Sequence, residues 1–157
     1  MLASCGSRTD KADASIPGIR KQLRQDSIAL QQLQDRYQQP LRDQFRSCDS
    51  LLAFVPEERI NEFFDVLNLA QAYLGQFDDM LPVMRHDMAY IQQQLTNLQN
   101  DIDTHYLSDS LANKYLLDEK ASADTLHHRV VYFEDRLSQQ EKALKELKKT
   151  MGKATTK

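Results

Sequence analysis

Apolar residues recur at helical spacing through most of this chain. Ile16, Ile19, Leu23, Leu30, Leu33 and Tyr37 fall on one stripe, and beyond Pro40 the stripe continues, shifted in phase, at Leu41, Phe45, Cys48, Leu52 and Val55. This predicts an amphipathic helix over 17–53 with an irregularity at Pro40, since an internal proline removes a backbone donor and crowds the preceding turn. Pro56-Glu57-Glu58 then starts a second helix: proline is accepted in a first turn, and acids are favoured at the positive end of the helix dipole. From Phe63 the spacing alternates fours and threes through Leu67, Ala70, Leu74, Phe77, Leu81, Met84, Met88, Ile91, Leu95 and Leu98 to Ile102. It resumes at Ala112, Leu116, Ala123, Leu126, Val130, Phe133, Leu137, Leu144, Leu147 and Met151, with Glu119 and Gln140 as polar interruptions. So long a heptad seam is a coiled-coil signature. Between its halves the seam turns polar at His105 and Asp109, and the stretch from His105 to Ser110 carries capping residues. A turn is predicted there, between helices over 57–105 and 109–151.

The segment Leu74-Gly75-Gln76-Phe77-Asp78-Asp79-Met80-Leu81-Pro82 admits two readings. Gly75 would close one helix and Asp79 cap the next, giving four helices with a hairpin at 75–82. Alternatively, Pro82 only kinks a continuous helix. The apolar phase survives the crossing, which favours the kink. The expected fold is then all-α, an elongated antiparallel three-helix bundle or coiled coil about 55 to 70 Å long at about 1.5 Å per residue. In layout it is similar to a spectrin-like repeat. Residues 16–151 form the bundle on this reading, between a leading segment over 1–15 and a disordered tail over 152–157.

Composition agrees with helix. Among 157 residues there are four Gly, four Pro and no Trp, which disfavours a sheet of short strands with Gly-rich turns. The net charge of -3 conceals a strongly acidic stretch over 57–119 and a basic one over 141–157. No concentrated basic face is evident, so nucleic acid is not expected as a partner. Lys142, Lys145, Lys148, Lys149 and Lys153 suit a helix C-terminus and a solvated tail. Met80, Met84 and Met88 surround Pro82, where flexible thioethers fill irregular core space.

Candidate chemistry is sparse. Asp124, His127 and His128 lie within about one helical turn, and Asp101, Asp103, His105 and Asp109 gather near the predicted turn, so either group has residue types that ligate metals. The paired Glu-x-x-His motifs of di-iron bundles are missing, and surface positions on charged helices account for both groups. The chain has no Gly-rich phosphate loop, G-x-S-x-G elbow or Cys-x-x-Cys pair. Cys48 sits on an apolar stripe, where a small buried hydrophobe is the expected role. Neither an enzyme nor a metal or other cofactor is expected.

The N-terminus carries the one local motif. Leu2-Ala3-Ser4-Cys5 resembles the lipobox of bacterial lipoproteins, in which an apolar residue and two small ones precede a cysteine that is acylated and becomes the mature N-terminus. The resemblance implies lipidation at Cys5, a membrane partner reached through that lipid, and a place in the bacterial outer membrane or periplasm. Residues 6–15 are small, polar and unpatterned, as a tether would be. A lipobox also requires a basic start and an apolar stretch of about 7 to 15 residues before it. Residues 1–4 supply neither, so the expectation is that the sequence begins inside the signal, as a remnant of it. The function expected is a non-catalytic helical scaffold or interaction module anchored in the envelope, with a protein partner or a second copy of the chain bound along its body. The alternative is a soluble cytosolic coiled-coil adaptor or chaperone-like subunit in which Cys5 plays no part.

Overall fold

The structure, a computed structural model, describes residues 15–154. Cys5 and the rest of the leading segment lie outside the described residues. The first helical stretch runs as α1 (Ile16–Leu33), a π-helical turn (Gln34–Gln38) and α2 (Gln39–Leu51), without a break between them. Short 3-10 turns at Leu52–Phe54 and Glu57–Arg59 lead into α3 (Ile60–Asp103), and a turn leads into α4 (Asp109–Ala154). The expected bundle of three long helices is what forms.

Ser15 starts α1: its hydroxyl accepts from the Gly18 N–H at 3.1 Å, and Pro17 occupies the first turn, where its missing N–H costs nothing. The irregularity expected at Pro40 is the π-helical turn just before it. Leu33, Tyr37 and Leu41 are spaced by fours, and an ordinary helix would carry so spaced a row steadily around its axis. One wider turn takes up the extra residue and keeps all three on the core side.

The reading with a hairpin at 75–82 is not what forms, because α3 passes through both residues unbroken. Gly75 has no left-handed backbone, and a Cβ there would meet nothing within 4 Å. Pro82 lies on the exposed side, where water can serve the carbonyl that the proline cannot. At 44 and 46 residues, α3 and α4 are each about 65 to 70 Å long.

The turn after α3 is a Schellman cap. Tyr106 N–H donates to the Asp101 carbonyl at 2.9 Å, and His105 N–H donates to that of Ile102 at 3.0 Å. His105 takes the left-handed position at φ 57°, where glycine is the usual residue. Ser108 then opens α4, its carbonyl accepting from Ala112 N–H at 2.9 Å.

Side-chain pairs fix the directions. Gln22 reaches Asp124 and Arg36 reaches Glu141, so α1 and α4 run parallel. Arg20 reaches Thr96 while Gln38 reaches Asp78, and Asp87 pairs with Arg129, so α3 is antiparallel to both. The seam residues of all three meet in one core, among them Leu23, Leu30, Phe77, Met84, Leu95, Leu126, Phe133 and Leu137. Arg20 lies level with Thr96 and Gln22 with Asp124, so α1 begins about a turn short of the end of α3, and the last turn of α3 and the first turns of α4 project beyond it as a two-helix hairpin. Ile102, expected on the seam, is 38% exposed: among the described residues no third helix covers it at that level.

Candidate functional site

The unusual chemistry of the described residues lies between α1 and α4. Asp26 occupies the core face of α1, midway between Leu23 and Leu30, and is 2% exposed. Burying a carboxylate is costly unless it is paired, and here the partner comes from α4. His127 Nδ1 lies 2.7 Å from Asp26 Oδ1, with the His127 side chain about half exposed. The second oxygen, Oδ2, is buried without a hydrogen-bond partner among the described residues.

About two turns away along α4, Lys120 is buried and its ammonium pairs with Asp124. Gln22 Nε2 donates to Asp124 Oδ1 at 3.2 Å and lies 3.3 Å from the Ala123 carbonyl. Partial burial pushes the Asp124 carboxyl up, but the hydrogen bonds from Lys120 and Gln22, with the charges of Lys120 and His128, outweigh it and hold the group below its ordinary value. Further along the same groove Glu141 accepts from Lys145 and from Arg36. Those bonds hold its carboxyl low against a smaller opposing effect of burial. The groove is thus crossed at three levels by polar contacts that tie α1 to α4.

Asp124, His127 and His128 do not converge. Asp124 turns to Lys120 and Gln22, His127 turns to Asp26, and the His128 ring lies 6.2 Å from that of His127. At the hairpin turn, His105 Nδ1 sits 3.2 Å from the Asp103 carbonyl oxygen; Asp103 and Asp109 are exposed and Asp101 is half-buried. Among the described residues, no three His, Cys, Asp or Glu side chains come together as a metal-ligating group. Cys48 is fully buried, with its thiol 3.6 Å from the Leu144 carbonyl. Burial pushes its pKa up, more than the nearby Lys148 lowers it, which disfavours the reactive thiolate.

Sequence reasoning passed over Asp26 and Lys120. The signal was present for Asp26: the apolar stripe jumps seven residues from Leu23 to Leu30, and an acid fills the vacated core position. Lys120 had none, since it only adjoins the seam, and the burial of its stem depends on how the helices pack beside it.

No described helix is long and apolar enough to cross a membrane. No protein-family model, curated protein or solved structure matches the chain.

Proposed function

We propose that the chain is a lipid-anchored lipoprotein of the bacterial envelope, held at the outer membrane or in the periplasm through an acylated Cys5. Its helical body acts as a non-catalytic scaffold or interaction module. One observation carries the connection between anchor and body: the chain enters the bundle at an end. Ser15 caps α1 at the same end as the α3–α4 hairpin, so a segment leading from Cys5 joins the rod near that tip, at the base of the projecting hairpin. Residues 6–14 would span at most about 30 Å when extended, which keeps that tip close to the bilayer and lets the far end project. Several acyl chains on one cysteine, at about 0.8 kcal/mol per buried methylene, suffice for a stable anchor where a single chain does not.

Metabolic labelling of the full precursor with a clickable fatty acid, in a bacterial host, tests the reading. Wild type is expected to label and Cys5→Ser to lose the label. Equal labelling of the two overturns the anchor and moves the reading to a soluble coiled-coil adaptor.

A further inference from the structure

The three grooves of the bundle are finished differently. Both grooves that flank α1 and α2 are laced by polar pairs such as Asp26–His127, Arg36–Glu141 and Arg42–Asp78. The outer face of the α3–α4 groove carries one such pair, Asp87–Arg129, and around it displays Leu69, Val83 and Tyr90 from α3, with Tyr115 and Tyr132 from α4, all exposed. Positions 69, 83 and 90 on α3, and 111, 118, 125, 132 and 139 on α4, are separated by multiples of seven and so form straight stripes beside the seam. Tyr90, Ser122, Thr125, Asp87 and Arg129 line one shared recess between them. α3 carries no lysine, and of the seven lysines of α4 none falls on its stripe. Tyr and Arg enrichment with lysine depletion is the composition of a protein interface.

We infer that this face pairs with the same face of a second copy, the two rods antiparallel about a two-fold axis at the level of position 127 on α4, about half a turn from Arg129 of the Asp87–Arg129 ion pair. The charges select both the partner and its direction. Toward the hairpin the face carries the acids Asp101, Asp118 and Glu119; toward the other end it carries Arg136, stacked over Tyr73 and Tyr132, and beyond it the rows end in Glu62 and Glu146, which are paired with Arg59 and Lys149. Asp118 and Arg136 are each nine residues from His127, about 13 Å along α4 in opposite directions. An antiparallel two-fold at that level therefore sets Asp118 of each copy against Arg136 of the other. It also sets Val83 against Tyr90 across the axis, since these lie on either side of Asp87 on α3. A parallel two-fold would place the acidic end of one face on the acidic end of the other, which like-charge repulsion opposes. The isologous contact closes after two copies. It does not depend on acylation, so it stands or falls separately from the anchor.

Sedimentation equilibrium of the full chain, produced without export so that Cys5 carries no lipid, reads the association directly. Wild type is expected to be dimeric at about 100 μM, with Asp118→Arg and Arg136→Asp each weakening the dimer about tenfold or more. The double reversal Asp118→Arg/Arg136→Asp restores the opposite-charge pairs and is expected to return the affinity to within about threefold of wild type. Circular dichroism checks that each variant keeps its helicity. A wild type that stays monomeric overturns the proposal. So does a dimer whose affinity ignores the single reversals, or one that the double reversal fails to restore.

Discussion

At one level of the bundle Phe77 meets Phe133 with ring centroids 5.4 Å apart and planes tilted by 60°, and both rings are buried. Toward the hairpin the same interior holds Asp26 against His127. Both layers fill a seam position, and each packs side chains from neighbouring helices. They differ in what holds them. The phenylalanine layer gains from every square ångström removed from water and has no directional requirement beyond ring geometry. The aspartate layer costs desolvation, recovers part of it through one hydrogen bond, and leaves a second oxygen unserved. It contributes little net stability, but it penalises any packing of α1 on α4 that separates Asp26 from His127. A seam of leucines would tolerate a slip of one heptad, and an acid at one position tolerates it poorly.

Breaking the apolar layer should have the largest effect. Phe133→Ala is expected to cost about 3 to 5 kcal/mol by chemical denaturation, the range for an aromatic removed from a core. A loss below about 1 kcal/mol would show that the layer is less closely packed than its burial indicates. Measurements belong at one protein concentration, because an associating chain gains apparent stability by mass action.

The polar layer should respond asymmetrically. His127→Ala leaves the buried Asp26 with no partner and is expected to cost about 1 to 3 kcal/mol. Asp26→Leu removes the buried charge and leaves only a half-exposed imidazole, which water can serve. It is expected to raise the thermal midpoint, at the low end of the gain of about 1 to 4 kcal/mol found when buried ionic groups give way to apolar ones. Equal losses from both substitutions would mean that the pair stabilises the fold outright, and the contrast with the phenylalanine layer would fail.

The smallest effect is a pH dependence on the outer rim of the same groove. Glu141 and Asp124 have folded values below their ordinary 4.5 and 3.8, so the stability they contribute is fully present above those values and is lost as pH falls through the lowered ones. Glu119 acts in the opposite sense. Burial, followed by the charge of Asp118, raises its value, so its penalty is present at neutral pH and fades as pH falls toward 4.5. Urea midpoints for wild type and Glu141→Gln, taken at neutral pH and at successive values below 4.5, should converge as the medium is acidified. A gap that stays constant across the series would remove Glu141 from the account.

Much of this architecture was legible in the heptads. The continuity of α3 could be read from the unbroken apolar phase at Leu74, Phe77 and Leu81, which outweighed the local turn chemistry of Gly75 and Pro82. The shift in stripe at Pro40 announced an irregularity, and the hairpin announced itself where the seam became polar at His105 and Asp109. Periodicity records only which face of each helix is buried, and it is a local property. It therefore determined the helices, their lengths and the residues that turn inward. Which helix meets which, and at what height, is a property of three segments together. Only the tertiary structure set Asp26 against His127, buried Lys120, exposed Ile102 by starting α1 short of it, and left the tyrosines of α3 and α4 on a face that no further helix among the described residues covers. Sequence spacing fixes positions around one axis, whereas partners and exposure depend on where the other axes lie.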